Sequence, residues 1–189
     1  MLRGFLKIIS TKITGCYEIF PKIHRDSRGM FVKTYNSQTF KKLGVNTSFK
    51  EQYYTVSLKN VIRGLHFQMP PHDHAKLIYC VVGEVLDVAL DLRVGSPFYG
   101  KHISLNLNSK KGNMIYIPSG FAHGFCSLRS ASTLVYNTTS VYNAKKDTGI
   151  HWDTAGISWP KTKTKTKISK RDSKFINFKN FKSPFVFKE

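Results

Sequence analysis

The sequence has few cysteines and no long hydrophobic run. Its three cysteines, Cys16, Cys80 and Cys126, are odd in number and widely separated, which argues against a disulfide framework or a C-x-x-C metal site. We expect them to be buried thiols in a reducing cytoplasm. No apolar run approaches the roughly 20 residues that a membrane span requires, and no small-residue cleavage site follows the first residues. These absences predict a soluble cytoplasmic protein without membrane insertion.

Acidic side chains are also scarce. The chain has 30 Lys and Arg against 11 Asp and Glu, for a net charge of +19. Such a surface attracts polyanions, so nucleic acid, an anionic membrane face and a phosphorylated substrate are all admissible partners. The excess is not confined to one helix or arm, and no zinc-finger, RNP-type or helix-turn-helix pattern is present. Specific nucleic-acid recognition is therefore disfavoured, and a small diphosphate ligand explains a basic pocket equally well.

The sequence also shows little helical periodicity. The best short helix covers residues 37–44, with Ser37 as a possible N-cap, Phe40 and Leu43 on one face, and Gly44 as the stop. From residue 49 the pattern is almost entirely that of strands, and about eight short strands at near-regular spacing are typical of an all-β jelly roll or barrel. They are expected over 53–58, 61–67, 76–82, 84–92, 102–107, 113–117, 120–127 and 132–141, after an N-terminal strand pair over 8–19 and a strand over 30–35.

One folded domain is expected over residues 1–189, because the composition is 41% hydrophobic and 13% aromatic. Within it, residues 1–48 supply N-terminal strands and the short helix, and residues 49–160 supply the jelly-roll core. Residues 161–189 supply a basic loop and a tail. The alternating Lys-Thr run after Pro160 is expected to be a loop rather than an edge strand. The phenylalanines between Phe175 and Phe187 are expected to pack the tail back onto the core.

The stretch over residues 61–76 concentrates the residues that could carry chemistry. It holds His66, His72, His74 and Lys76 beside Arg63, around a Gly and a Pro-Pro pair. Strand alternation inside a barrel would point His66 toward the lumen and Arg63 toward the opposite face. The stretch therefore predicts a site, and two kinds of chemistry fit it.

The first kind is metal binding. His72-x-His74, with a distant His123, is the spacing by which jelly-roll metalloenzymes hold iron, manganese or zinc. Those sites add a carboxylate a few residues later, but Lys76 occupies that place and would repel a cation.

We therefore favour the second kind, acid–base chemistry. Histidine, Lys76 and Tyr136 supply a base, a cation and a phenol, which can remove a proton beside a carbonyl and return one from the other face.

A series of motifs then runs in order along nearly the whole chain, from about residue 28 to residue 172. They are Val61-Ile-Arg63-Gly64-Leu-His66-Phe-Gln68, Gly83-Glu-Val-Leu-Asp87, Gly95-Ser-Pro97, Tyr116-Ile-Pro118-Ser-Gly120-Phe-Ala-His123-Gly124, Tyr136-Asn-Thr-Thr and Gly149-Ile-His-Trp152. Together they resemble the dTDP-4-dehydrorhamnose 3,5-epimerase family. The resemblance implies a cupin-like jelly roll, a homodimer that exchanges N-terminal strands, and catalysis without metal or other cofactor.

The resemblance also implies roles for the matching residues. His66 matches the general base, and Asp172, in a late Ser169-Lys-Arg-Asp172 motif, matches the carboxylate that orients it. Lys76 matches the cation that stabilises an enolate oxygen, and Tyr136 matches the phenol that reprotonates the opposite face. Contacts to the substrate or its nucleotide are implied at Arg28, Lys33, Glu51, Arg63, His123, Asp147 and Arg171. Of these, Arg28 would reach the pocket of the partner subunit.

Two departures from the family pattern concern the nucleotide. Lys33 stands where a glutamate is usual, and Glu51-Gln52-Tyr53 replaces a common Gln-Asp-Asn stretch. Those positions lie near the nucleotide base in relatives, which suggests a GDP- or CDP-linked substrate rather than a dTDP-linked one.

The sequence therefore predicts an epimerase that inverts C3, C5 or both of a nucleotide-linked 4-keto-6-deoxy hexose or heptose. Its role would be in surface polysaccharide synthesis, such as capsule or lipopolysaccharide. The alternatives are a 3,4-ketoisomerase, a metal-dependent cupin oxygenase and a basic module that binds acidic glycans or nucleic acid.

Overall fold

The computed structural model describes residues 6–42, 44–161 and 165–188, which form thirteen strands and very little helix. The strands are β1 Leu6–Ser10, β2 Tyr17–Pro21, β3 Ile23–Asp26, β4 Gly29–Val32, β5 Glu51–Ser57, β6 Ile62–Gln68, β7 Lys76–Val82, β8 Glu84–Asp91, β9 His102–Asn108, β10 Met114–Ile117, β11 Phe121–Ser127, β12 Ser132–Thr138 and β13 Asp147–Gly149. The eight strands expected after residue 49 correspond to β5 through β12, so the all-β prediction is confirmed. Strands β3 and β13 were not predicted, because neither short segment carries a clear alternating pattern.

Two antiparallel sheets form the jelly roll. The first has the order β1-β2-β10-β7-β12-β5, and the second has the order β13-β6-β11-β8-β9. Their facing sides bury one apolar core, in which Ile78 and Leu134 of the first sheet meet Val85 and Phe125 of the second. Alternation along each strand puts every second side chain into this core. The predicted cupin-like jelly roll is therefore what the chain forms.

The outer face of the first sheet is covered by the helix. This helix, α1, spans Ser37–Lys41 and buries Phe40 against a cluster that includes Ile19 and Leu77. It is shorter than predicted, and its N-cap is Asn36 rather than Ser37, because the Asn36 side chain accepts a hydrogen bond from the Thr39 backbone N–H at 3.0 Å. An asparagine carbonyl caps as well as a serine hydroxyl does. Leu43, which was expected on the same face, lies outside the described residues.

The outer face of the second sheet is covered by the C-terminal tail. Phe181 and Phe185 approach Phe67 edge-on, with ring centroids 5.2 and 5.7 Å away. Before these phenylalanines in the sequence, Lys167 forms an isolated parallel bridge with Val61. Residues 162–164 of the Lys-Thr run lie outside the described residues. These ring contacts place Phe181 and Phe185 of the tail against the second sheet.

A bulge in β6 changes which side chains face the interior. His123 of β11 pairs with His66 of β6, and Phe125 of β11 pairs with Arg63 of β6. The two pairs are three residues apart on β6 but only two residues apart on β11. One extra residue in a strand reverses the alternation beyond it. The bulge occurs where Gly64 faces Gly124, and a Cβ on Gly64 would meet the Gly124 backbone 2.6 Å away. The prediction that Arg63 faces away from His66 is therefore wrong.

The three cysteines are buried and unpaired, as predicted. Burial raises the pKa of Cys80 and of Cys126 to about 11, so both remain protonated thiols at neutral pH. None of the helices in the described ranges is long enough to cross a membrane.

Candidate active site

One cavity of about 310 Å³ opens between the two sheets and gathers most of the predicted site residues. Those that line it are Glu51, Arg63, His66, Lys76, His123, Tyr136 and Asp147. They come from six strands, so they are distant in sequence and adjacent only in the fold. A second cavity, of about 470 Å³, lies on the other side of His66 and is lined by Arg63, Arg171 and Asp172 among others.

His66 and Asp172 meet between these two cavities. The Nε2 atom of His66 lies 3.0 Å from Oδ1 of Asp172, although the ring N–H is not aligned for a hydrogen bond. The other carboxylate oxygen of Asp172 accepts a hydrogen bond from the Gly64 backbone N–H at 3.0 Å. Asp172 begins a short 3-10 helix, Asp172–Lys174, and is itself only 4% exposed. The predicted pair is thus brought together across more than a hundred positions of sequence.

The environment keeps Asp172 ionised. Burial alone would raise the pKa of Asp172, but the contact with His66 and the hydrogen bond from Gly64 outweigh it, so the pKa lies below its usual range. An ionised carboxylate beside one ring nitrogen orients the imidazole and stabilises the imidazolium ion when a proton arrives. His66 can therefore act as a base through the ring nitrogen that Asp172 does not contact.

Lys76 is buried at the start of β7, and its Nζ donates to the His66 carbonyl oxygen at 3.4 Å. Burial lowers the pKa of Lys76 to about 8, because the carboxylates of Asp147 and Asp87 only partly compensate for lost hydration. At neutral pH the side chain is therefore still an ammonium ion. In a cavity shielded from water, such a cation is well suited to stabilise an oxyanion.

Tyr136 lies on β12, where its ring is enclosed by two other rings. Tyr53, its cross-strand partner on β5, stacks on one face with a centroid distance of 4.7 Å and an interplanar angle of 12°. His123 meets the ring edge-on at 5.8 Å. Burial raises the pKa of Tyr136 well above 10, so its phenol carries a proton that it can donate at neutral pH.

His123 belongs to a second buried His-Asp pair that the sequence did not reveal. Its Nε2 lies 2.8 Å from Oδ2 of Asp87, and both side chains are almost inaccessible to solvent. Burial lowers the pKa of His123, although the neighbouring Asp87 carboxylate acts in the opposite direction. The available signal was the alternation of Asp87 with Val85 and Ala89 on an apolar strand, which points a carboxylate into the core.

The remaining charged residues on the cavity walls bind a carboxylate, a hydroxyl or the backbone. Arg171 forms an ion pair with Asp147. Arg63 donates to the Ser57 hydroxyl at 3.0 Å, and Glu51 accepts from the Tyr142 backbone N–H at 2.5 Å. These contacts hold two guanidinium groups at the border of the two cavities, where a diphosphate could replace part of their present contacts.

Arg28 and Lys33 do not line the main cavity of their own chain. Arg28 is at the turn of the β3–β4 hairpin, where it pairs with Asp26 at 2.6 Å and its side chain is 88% exposed. Lys33 follows the same hairpin and is exposed. Their predicted substrate contacts thus depend on a second subunit and stay predictions.

The histidines that suggested a metal are held by separate partners. His74 lies in the cavity with its Nδ1 at 2.9 Å from the Ser140 hydroxyl, and burial lowers the pKa of His74 to about 3. His72 contacts the Asn143 side chain at 3.2 Å. Among the described residues, no group of three or more His, Cys, Asp or Glu side chains is arranged to hold a metal ion.

The chain is similar to known proteins along most of its length. The sequence profile of the dTDP-4-dehydrorhamnose 3,5-epimerase family matches residues 10–180. The dTDP-4-dehydrorhamnose 3,5-epimerase of Shigella flexneri is 39% identical over 158 residues, which cover 82% of this chain and 87% of that protein. The enzyme of the same name from Salmonella typhimurium is 40% identical, over 81% of this chain and 85% of its own.

A solved structure shows the same fold. The dTDP-6-deoxy-D-glucose-3,5-epimerase of Legionella pneumophila, in complex with dTDP-4-keto-L-rhamnose, superposes with a TM-score of 0.92 at 31% identity, over 97% of this chain and 100% of that one. The family profile, the relatives and the shared fold all agree with the motifs found in the sequence. The chain therefore belongs to the dTDP-4-dehydrorhamnose 3,5-epimerase family.

Proposed function

We propose that this protein inverts C3 and C5 of a dTDP-linked 4-keto-6-deoxy hexose. The observation that carries the proposal is the convergence of His66, Lys76 and Tyr136 on one cavity, with Asp172 directly behind His66. A base, a cation and a protonated phenol are the groups that epimerisation beside a ketone requires. The 3,4-ketoisomerase, the cupin oxygenase and the basic binding module have no comparable support.

The reaction begins with proton removal beside the C4 ketone. The ring nitrogen of His66 that Asp172 does not contact takes the proton from carbon, and the electrons of that C–H bond move onto the C4 oxygen as an enolate. The Lys76 ammonium stabilises that oxyanion. The hydroxyl of Tyr136 then donates its proton to the same carbon from the opposite face, and the C4 carbonyl re-forms. Solvent returns a proton to the Tyr136 phenolate and accepts one from the His66 imidazolium.

Solvent exchange provides the direct test. We expect a dTDP-4-keto-6-deoxy hexose incubated with the protein in deuterated water to acquire deuterium at both C3 and C5, as followed by NMR. Deuterium at neither carbon would contradict the proposed function. A product with its ketone moved to C3 would instead support the 3,4-ketoisomerase alternative.

The choice of dTDP follows from the relatives. The named epimerases act on dTDP sugars, and the Legionella structure holds one. The departures that suggested GDP, CDP or a heptose include Lys33, which does not line the cavity of its own chain, and Tyr53, which packs on Tyr136. Calorimetric titration with dTDP, GDP and CDP should give the lowest Kd for dTDP. A lower Kd for GDP or CDP would instead favour a GDP- or CDP-linked substrate.

The lowered pKa of Lys76 predicts a pH dependence. Lys76 stabilises an enolate only while protonated, so we expect kcat/KM to fall as the pH rises through about 8. An arginine keeps its proton to a pKa above about 12, so Lys76→Arg should shift this decline to higher pH even if the overall rate is lower. The measurement is kcat/KM for both proteins across neutral and alkaline pH, with the exposed Lys59→Arg variant as control. An unchanged alkaline decline in Lys76→Arg would assign it to another group.

We further propose a homodimer in which the β3–β4 hairpin crosses to the partner. Among the described strands, this hairpin pairs only with itself, and it exposes Met30 and Phe31. The edge strand β5 likewise presents Tyr54 and Val56 to solvent, at 69% and 52% exposure. An exposed apolar hairpin and an open apolar sheet edge are complementary surfaces. The exchange would bring Arg28 to the partner's cavity, as the family resemblance implies.

Subunit complementation tests this arrangement. Dimers of Arg28→Ala alone and of His66→Ala alone should each be weakly active. A dimer with one subunit of each variant should have about half of the activity of a wild-type dimer, because one of its two cavities is complete. In a mixed dimer, one cavity keeps its own His66 and receives Arg28 from the other subunit. If Arg28 served its own chain, mixing would restore nothing.

We propose that residues 1–189 work as one epimerase domain in the cytoplasm, in surface polysaccharide synthesis. The support for a single domain is that the tail supplies Asp172 while the strands from β5 onward supply the rest of the site.

A further inference from the structure

The stacked pair of Tyr53 and Tyr136 carries an inference about catalysis, which rests on the proposed function. The two residues are cross-strand neighbours on β5 and β12, and their rings are nearly parallel, 4.7 Å apart. Tyr53 is 40% exposed and Tyr136 is 4% exposed, so Tyr53 covers Tyr136 on the solvent side. We propose that Tyr53 is a positioning residue, which holds the phenol of Tyr136 in line with the carbon it reprotonates.

The contacts around Tyr136 explain why its position depends on a neighbour. Its ring is bounded by Tyr53 on one face and by the His123 edge, and His123 is itself fixed by Asp87. Removing Tyr53 would leave that face of the ring open to the cavity and to water. Proton donation is sensitive to errors of about 1 Å in placement, which can cost about 100-fold in rate.

Tyr53 is also one of the positions at which this chain departs from its family. The resemblance implies an asparagine at this position, the last of a Gln-Asp-Asn stretch, whereas this chain has Glu51-Gln52-Tyr53 and so an aromatic ring. An asparagine cannot stack on a phenol over the same area. The sequence suggested a role in nucleotide choice for this substitution, whereas the stacking geometry points to control of the second proton transfer.

The readout is the ratio of inversion to exchange. His66 can return deuterium to the face from which it removed hydrogen, so exchange without inversion reports proton abstraction alone. We expect Tyr53→Asn to keep deuterium exchange within about threefold of wild type and to lower inversion at least about tenfold, since correctly placed acid–base groups contribute about 100-fold or more. Both quantities come from one NMR time course in deuterated water with the dTDP-4-keto-6-deoxy hexose.

Three further variants separate stacking from folding and volume. Tyr53→Phe keeps the ring and should retain the wild-type ratio, whereas Tyr53→Leu keeps apolar bulk without a ring and should resemble Tyr53→Asn. Tyr99→Asn places the same substitution at a partly exposed tyrosine that lines neither cavity, and it should keep the wild-type ratio. A normal ratio in Tyr53→Asn, or full rescue by leucine, would overturn the proposal. Wild type without any exchange would overturn the proposed function instead.

Discussion

Replacing His66 with alanine should abolish deuterium exchange at both C3 and C5. General acid–base groups contribute about 100- to 10,000-fold to rate, and in this site His66 is the only residue proposed to remove the first proton. We therefore expect kcat/KM to fall by at least about 100-fold, with exchange at both carbons falling in parallel. The measurement is NMR-detected exchange together with steady-state rates on the same substrate.

The loss of activity in His66→Ala should result from the missing base and not from misfolding. The His66 side chain is 30% exposed, so its removal leaves only a modest packing defect, which thermal unfolding can check. His102→Ala is a matched control, because His102 is a half-buried histidine on β9 that does not line the main cavity. Exchange that persists at near the wild-type rate in His66→Ala would remove His66 from the mechanism.

Removing the hydroxyl of Tyr136 should separate exchange from inversion. Tyr136→Phe keeps the ring that packs between Tyr53 and His123 but has no proton to donate. We expect inversion to fall by about 100-fold or more, while His66 continues to exchange hydrogen for deuterium on its own face. The products of the variant in deuterated water should be labelled substrate with unchanged configuration.

The control is a buried tyrosine outside the cavity. Tyr116, on β10, donates its hydroxyl to the Asn46 carbonyl oxygen at 3.1 Å on the outer face of the first sheet. Tyr116→Phe loses one hydrogen bond, about 1 kcal/mol of stability, and should keep both exchange and inversion. Equal losses of exchange and inversion in Tyr136→Phe would show that Tyr136 is not the opposite-face donor.

Much of the fold could be predicted because strand patterns are local. The run from Lys76 to Val82 was expected and forms β7 with those bounds, and the remaining core strands differ by only a few residues. The N-cap at Asn36 and the strands β3 and β13 were missed, since capping and short pairings depend on which backbone groups remain unpaired after folding.

The proposed site could be predicted where its residues belong to sequence motifs. His66, Lys76 and Tyr136 could be identified from spacing and family resemblance, and Asp172 could be proposed only from the resemblance. The structure then brings Asp172 to 3.0 Å from His66. No local pattern could indicate this contact, because its formation depends on the tail folding back over the second sheet.

The sequence by itself therefore determined the all-β class and allowed the proposed acid–base residues to be predicted, since periodicity and motif spacing are properties of the chain. The tertiary structure alone decided that Arg63 shares a cavity with His66, that Asp87 holds His123, and that Tyr53 stacks on Tyr136. The reason is physical: one extra residue in β6 reverses a strand's alternation, and pairing register decides which distant side chains meet.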